Sequence, residues 1–463
     1  MSMALQRTIS PVDGSVYVER EQADAATIEA ALERARVAQR AWRKVPIEER
    51  ARYCSRMVDI IVARRDVLAE ELTWQMGRPS AVAGGEIGGF EERARGMIAL
   101  AEEALAPIHL GHKPGFTRYI TREPLGVSFI IAPWNFPFMT AVNALVPSIM
   151  AGNAVILKHS AQTPLCPERL QEAFDAAKLP EGVFQYLHLS HEDTEALIRH
   201  GGVHHVSFTG SVAGGERVER SAAGRFIATG LELGGKDPAY VRADVDLDEA
   251  VAGVMDGAFF NSGQSCCGIE RIYVHRDIHA AFVERAAAWV RQLRLGNPVD
   301  PATTLGPMVR PEAADFVRGQ VEEAVAAGAR AWIDPGDYPL STPGSAYLAP
   351  QLLTGVDHSM RVMTEESFGP VVGVMAVADD DEAVAQMNDS PYGLTAALFT
   401  RNLAIGEALA HRLEAGTVFT NRCDYLDPEL AWTGVKQSGR GCSLSRLGYE
   451  TLTRPKSFHL KHA

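Results

Sequence analysis

Cys266 lies in a run of small and polar residues, Asn261-Ser262-Gly263-Gln264-Ser265-Cys266-Cys267-Gly268. Glu232 stands 34 residues before it, inside Leu231-Glu232-Leu233-Gly234-Gly235-Lys236. A thiolate is the strongest nucleophile among protein side chains near neutral pH. A carboxylate whose surroundings bring its pKa toward the working pH can take a proton from water. Nucleophile and water-activating base together suit the formation of a thioester and its hydrolysis. A lone cysteine is more often an inert packing residue, so the reading depends on what accompanies it.

Three further stretches accompany it. In Pro133-Trp134-Asn135-Phe136-Pro137 the asparagine offers a side-chain NH2 at the end of an apolar run. A preorganised donor facing a developing oxyanion contributes roughly 3 to 4 kcal/mol, although an asparagine in such a place is by itself usually a turn residue. His205-Val206-Ser207-Phe208-Thr209-Gly210-Ser211-Val212-Ala213-Gly214-Gly215 reads as strand, glycine turn, then helix. Backbone N–H groups at such a helix start can approach a pyrophosphate, but the G-x-x-x-G-G spacing is commonplace. The third is Glu365-Glu366-Ser367-Phe368-Gly369-Pro370, which alone suggests a solvated glutamate and a core phenylalanine.

In this order, the blocks around Asn135, Glu232, Cys266 and Glu366 resemble the signatures of the NAD(P)-dependent aldehyde dehydrogenase superfamily, from about Pro11 to the C-terminus. The resemblance implies an α/β fold with a Rossmann-type dinucleotide-binding domain, an α/β catalytic domain and a small oligomerisation element. It implies Cys266 as nucleophile, Asn135 with the Cys266 amide as oxyanion donors, and Glu232 as the base that releases a carboxylic acid. Trp134, Lys158, Ser160, Gly210, Ser211, Gly215, Glu366 and Phe368 match cofactor-binding positions. Phe136, Thr140, Asn143, Ser265, Cys267, Asp424, Leu426 and Trp432 match positions facing the aldehyde. Thr140 and Asn143 replace large apolar side chains of many relatives, which suggests a wetter pocket. Asp424 would disfavour a carboxylated aldehyde, and Arg422 would reverse that if it pointed inward.

One departure concerns the cofactor. The family's common Lys-Pro-Ser-Glu is here Lys158-His159-Ser160-Ala161. The missing glutamate normally accepts from ribose hydroxyls and repels a 2′-phosphate, so NAD or NADP is expected, with only a modest preference. Trp432-Thr433-Gly434-Val435-Lys436-Gln437-Ser438-Gly439 resembles a structural loop near the substrate mouth.

These residues need elements to hold them. From Asp24 to Ala104 apolar residues recur at helical spacing, for instance Ile28, Leu32, Ala35 and Ala38. From Pro124 onward short apolar runs alternate with helical stretches. Strands are expected at 126–132, 154–158, 184–189 and 205–209, and helices at 138–151, 165–177 and 193–200. Beyond Gly234 helices are expected at 247–260 and 278–293, with strands at 271–274, 371–377, 395–399 and 417–420. Such alternation implies parallel sheets with covered faces. The resemblance divides the chain into 1–104 and 123–234 for the dinucleotide, 235–440 for catalysis, and 105–122 with 441–463 for oligomerisation. The break near Gly234 puts base and nucleophile on either side of a junction, where ligand clefts preferentially form.

The bulk properties narrow the class. At 463 residues the chain exceeds one ordinary hydrophobic core. A net charge of −13 without a basic run argues against nucleic acid or an anionic membrane as partner. Cys54, Cys166, Cys266, Cys267, Cys423 and Cys442 show no CxxC spacing, so neither a metal site nor a redox dithiol is expected, and reduced thiols fit a cytoplasmic protein. The first residues hold no apolar stretch of signal-peptide length, and no segment reaches the roughly 20 apolar residues of a membrane span. The expected partner is a small-molecule aldehyde, in a homodimer or homotetramer. Two rivals are a CoA-acylating relative, which has no need of Glu232, and a catalytically silent scaffold, which has no need of Cys266, Glu232 or Asn135.

Overall fold

Two parallel sheets account for the alternation that begins near Pro124. A computed structural model describes residues 4–462; residues 1–3 and 463 of the expected domains lie outside it. The first sheet has six strands in the order Gly439–Arg440, Ala228–Glu232, His205–Thr209, Val127–Ala132, Ala154–His159 and Phe184–Tyr186. All neighbours run parallel except Gly439–Arg440, which is antiparallel to the end of Ala228–Glu232. Side chains of a strand alternate between faces, and here they feed two cores. Ile130, Ala132, Val155 and Leu157 meet the helices Ile47–Ala63, Gly85–Leu105 and Pro137–Ala151, whereas Phe129, Ile131, Ala154 and Ile156 meet Ala25–Trp42, His191–Arg199 and Val212–Ala222. Both faces are covered, which explains why these strands read as unbroken apolar runs.

The second sheet has seven strands in the order Arg330–Ala331, Gln351–Thr354, Val371–Val377, Ile269–His275, Asp237–Val241, Thr395–Phe399 and Thr417–Thr420. Only the first pair is antiparallel. The helices Leu247–Phe259 and Arg276–Val290 bury Val254, Met255, Phe282 and Val290 against one face.

A third, antiparallel sheet joins Thr453–Lys461, Phe116–Pro124 and Ile108–His109. Its long pair runs from Thr453↔Pro124 to Lys461↔Phe116, with Tyr119 and Phe458 stacked at 4.5 Å between ring centroids. The helix Ser445–Thr451 that precedes it packs elsewhere: Leu444 and Tyr449 are fully buried in the first core. The stretch 441–452 therefore sits with the first sheet, as does Gly439–Arg440, and the separate sheet begins only at Thr453. Nothing in the sequence marks this, because a two-residue strand has no apolar run to read. Among the described residues no helix is long and apolar enough to cross a membrane.

Candidate active site

Cys266 and Glu232 both line two adjoining cavities. One, of about 490 Å³, is walled by Trp134, Asn135, Gly210, Ser211, Glu366 and Phe368. The other, of about 280 Å³, is walled by Phe136, Thr140, Asn143, Ser265, Cys267, Asp424, Leu426 and Trp432. All the residues expected to face an aldehyde thus share one cavity, with nucleophile and base where it meets the next. Lys158, Ser160 and Gly215 do not line the larger cavity. Lys158 is the penultimate residue of the Ala154–His159 strand, and burial lowers its pKa to about 8. Ser160 follows it, its hydroxyl accepting from the Gln162 amide at 3.2 Å. Gly215 lies under Leu233, whose Cδ2 would be 2.6 Å from an added Cβ, so its lack of a side chain serves helix–strand packing.

The nucleophile's segment is tightly built. Asn261, Ser262 and Gly263 all have φ between 54° and 70°, a left-handed run that only surrounding contacts can hold. A Cβ on Gly263 would lie 2.2 Å from the Gly369 carbonyl oxygen, so glycine there lets the Phe368 loop come close. Asn135 is 4% exposed, and its Nδ2 donates to the Gln264 carbonyl at 3.2 Å, two residues before Cys266. One N–H of that amide remains for another acceptor.

Two residues that sequence reasoning passed over hold Asn135. Arg78, in the Gly77-Arg78-Pro79 stretch that reads as punctuation, donates to the Asn135 carbonyl, to Asn261 Oδ1 at 3.0 Å and to Glu86 at 2.5 Å. Its guanidinium lies 4.6 Å from the Phe136 ring centroid. Glu86 also accepts from the Phe138 and Met139 amides at 2.9 and 3.0 Å, satisfying free donors at the start of Pro137–Ala151. Both side chains are buried. Removing one partner of such a pair strands the other charge. Arg78→Met should therefore lower stability by about 3–5 kcal/mol, measured by urea unfolding against Glu86→Gln and the double variant.

Glu232 ends its strand with two hydroxyls on it: Thr209 Oγ1 donates to Oε2 at 3.2 Å, and Ser443 Oγ donates to Oε1. Burial raises its pKa, and these hydrogen bonds pull the other way. Ser443 is fixed because it exchanges backbone bonds with Trp432, at 2.8 and 2.9 Å. Cys267 is a different kind of thiol from a nucleophile. Its Sγ donates to Asp424 Oδ1 at 2.9 Å, and the hydrogen bond with Cys266, burial and Asp424 together push its pKa well up. It stays a neutral thiol. Asp424, at φ 52°, also receives the Ser265 hydroxyl at 3.4 Å, and burial raises its own pKa. Arg422 lies over Tyr425, 3.9 Å from its ring centroid, and is not among the residues that wall the cavity.

The larger cavity is held by another buried pair. Lys236 donates to Glu270, whose carboxylate accepts from the Ser367 and Phe368 amides at 2.8 Å each. Phe368 consequently stands edge-on to Trp134, with centroids 5.7 Å apart. Glu366 accepts from the Gly235 amide at 3.0 Å, and burial with nearby Glu270 raises its pKa to about 8. The start of Val212–Ala222 faces this space. There Ser211 accepts from the Gly214 amide at 3.2 Å, and glycine at 234 leaves room that a Cβ would take from Glu366. Two aromatic walls, a helix start and a carboxyl suit a dinucleotide.

The profile of the aldehyde dehydrogenase family matches residues 2–458. The chain belongs to that family. This aldehyde dehydrogenase is 35% identical over 453 residues to an NADP(+) succinate-semialdehyde dehydrogenase of Mycolicibacterium paratuberculosis, covering 97% of this chain and 95% of the other. Among solved structures it superposes on an NAD-dependent aldehyde dehydrogenase from Sinorhizobium meliloti with a TM-score of 0.94, at 32% identity over 99% of this chain and 92% of that one. It superposes equally, with a TM-score of 0.94, on succinic semialdehyde dehydrogenase from Streptococcus pyogenes in complex with NADP+, at 28% identity over 99% and 100% of the two chains. The fold class is that of these enzymes, and the reaction is oxidation of an aldehyde with NAD or NADP.

Proposed function

We propose that Cys266 attacks the aldehyde carbon, that Asn135 Nδ2 and the Cys266 amide receive the resulting oxyanion, and that Glu232 later takes a proton from the water that cleaves the thioester. The observation that carries this reading is the position of Cys266 and Glu232 on the walls of both cavities at once. Substrate reaches the thiol from one side and cofactor from the other. A bound nicotinamide supplies the acceptor for the hydride that the oxidised carbon loses. Trp134, Gly210, Ser211, Glu366 and Phe368 are the residues to hold its half of the cofactor, and Lys158 and Ser160 the adenosine ribose. A thioester cleaved by CoA would leave Glu232 without a task, which favours water as the acyl acceptor.

The aldehyde in this reading is short and bears a carboxylate, as in the relatives named for succinate semialdehyde. The polar wall of Thr140, Asn143 and Ser265 suits such a molecule better than a long alkyl chain. The first sheet with its helices forms the dinucleotide-binding unit and the second the catalytic unit. The antiparallel sheet serves oligomerisation into a homodimer or homotetramer of a cytoplasmic enzyme. Purified protein assayed with an aldehyde panel and both cofactors tests the reading, and absence of reduced cofactor with every aldehyde would reject it.

Cofactor choice has its own expected outcome. Ala161 is exposed beside the N-terminal hairpin, where Thr8 Oγ1 donates to its carbonyl at 2.8 Å. With no carboxylate there, NADP+ and NAD+ should both serve. Ala161→Glu should cut kcat/KM for NADP+ by at least about tenfold more than for NAD+, through like-charge repulsion of the 2′-phosphate. Equal losses with the two cofactors would place Ala161 away from the ribose.

A further inference from the structure

We infer that Arg93, together with the side-chain amide of Asn143, forms the subsite that receives the carboxylate of an ω-carboxylated aldehyde. The inference rests on the substrate reading above and names the residues that would enforce it. Arg93 belongs to Gly85–Leu105 and Asn143 to Pro137–Ala151, two helices packed on one another, and both line the aldehyde cavity. Arg93 is 8% exposed. Its only acceptors among the described residues are the Met139 carbonyl at 3.0 Å and Asn143 Oδ1 at 3.5 Å, both on Nη1.

No carboxylate among the described residues forms an ion pair with it. The nearby acids are otherwise engaged: Glu86 with Arg78, Glu232 with Thr209 and Ser443, and Asp424 with Cys267 and Ser265. A buried guanidinium without a counter-ion is costly unless something arrives to pair with it. Asn143 supplies a second, independent sign. It is 2% exposed, its Oδ1 is used by Arg93, and its Nδ2 has no partner at all. Buried donors are nearly always satisfied in native proteins. Two donors left free on one cavity wall call for an acceptor brought by the ligand. A carboxylate supplies two oxygens and one negative charge, matching one guanidinium and one amide.

Asp424 opposes an anion, but it reaches the cavity from the 421–427 loop and is bonded beside the nucleophile, to Cys267 and Ser265. The carboxylate is therefore assigned to the helical wall, and the aldehyde end to Cys266.

The test compares kcat/KM for succinate semialdehyde, pentanal and glyceraldehyde with NADP+ in the full-length protein. Wild type should prefer the semialdehyde over both others. Arg93→Met should lower the semialdehyde-to-pentanal ratio by at least about thirtyfold, mainly through KM for the semialdehyde, with Arg93→Lys falling between. Asn143→Leu should lower the same ratio less. Wild type favouring pentanal or glyceraldehyde would overturn the substrate reading and this inference with it. An unchanged ratio in Arg93→Met would overturn the subsite alone. If that variant does not fold, wild type decides: butyrate should compete with the aldehyde far better than butyramide does, and equal inhibition would overturn the inference.

Discussion

Cys266→Ala should lower aldehyde oxidation by at least about a thousandfold, because the covalent step has no substitute nucleophile. The neighbouring thiol cannot replace it. Cys267 donates a 2.9 Å hydrogen bond to Asp424, and its pKa is held well above the ordinary thiol value. Cys267→Ala should consequently keep turnover, while Cys266→Ala should still quench tryptophan fluorescence on binding NADPH, since Trp134 walls the cavity assigned to the cofactor. The reverse pattern, with activity lost in Cys267→Ala and kept in Cys266→Ala, would exchange the two assignments.

Glu232→Gln should separate the two halves of the reaction. Thioester formation needs no water, so reduced cofactor should appear in a burst close to one equivalent per active site. Steady-state turnover should then fall by about 10² to 10⁴, the usual contribution of a general base. Glutamine can keep one acceptor for Thr209 or Ser443 but takes no proton. The pH dependence follows from burial, which raises the pKa of this carboxyl. Only its ionised form can accept a proton, so wild-type turnover should climb as pH rises through that raised pKa. The climb should be missing in Glu232→Gln. Stopped-flow absorbance of the reduced cofactor across pH reads both effects, and full steady-state turnover in the variant would assign water activation to another group.

How far the sequence could be read depended on whether burial left a local pattern. Val127–Ala132, Ala154–His159 and Thr395–Phe399 are buried on both sides and are plain apolar runs. In the hairpin Leu5–Ile9 and Val16–Glu21 the buried residues are Gln6, Thr8 and Val18 while Leu5, Ile9 and Val16 are exposed, so no apolar face marks it as strand. The helix Pro311–Ala326 was equally silent, with only Ala314, Val317, Gln320 and Ala324 buried along it. In the site, Asn135, Glu232 and Cys266 stood out because they sit in compact blocks. Asp424, Leu426 and Trp432 could be placed only through resemblance, and the fold brings them onto one cavity with Thr140 and Asn143. Arg78 and Arg93 gave no signal. An arginine on a helix or beside a proline ordinarily faces water; the packing of Gly85–Leu105 on Pro137–Ala151 turns Arg93 inward, and bonds to Glu86, Asn135 and Asn261 hold Arg78.

The clamp on Glu232 also sets an order of events during synthesis. The hydroxyl of Ser443 that grips this carboxyl is 211 residues further along the chain. At about 5–20 residues per second, the ribosome delivers it about 10 to 40 s after the base itself has been made. A nascent chain that has already emerged past Thr420 holds every strand of the second sheet and the thiol, yet has neither the Gly439–Arg440 strand nor Ser443. A chain stalled or cut there has its base hanging from Thr209 alone, and its first core lacks Trp432, Leu444 and Tyr449. The clamp on the base is thus completed only after the thiol and every strand of the second sheet have been made.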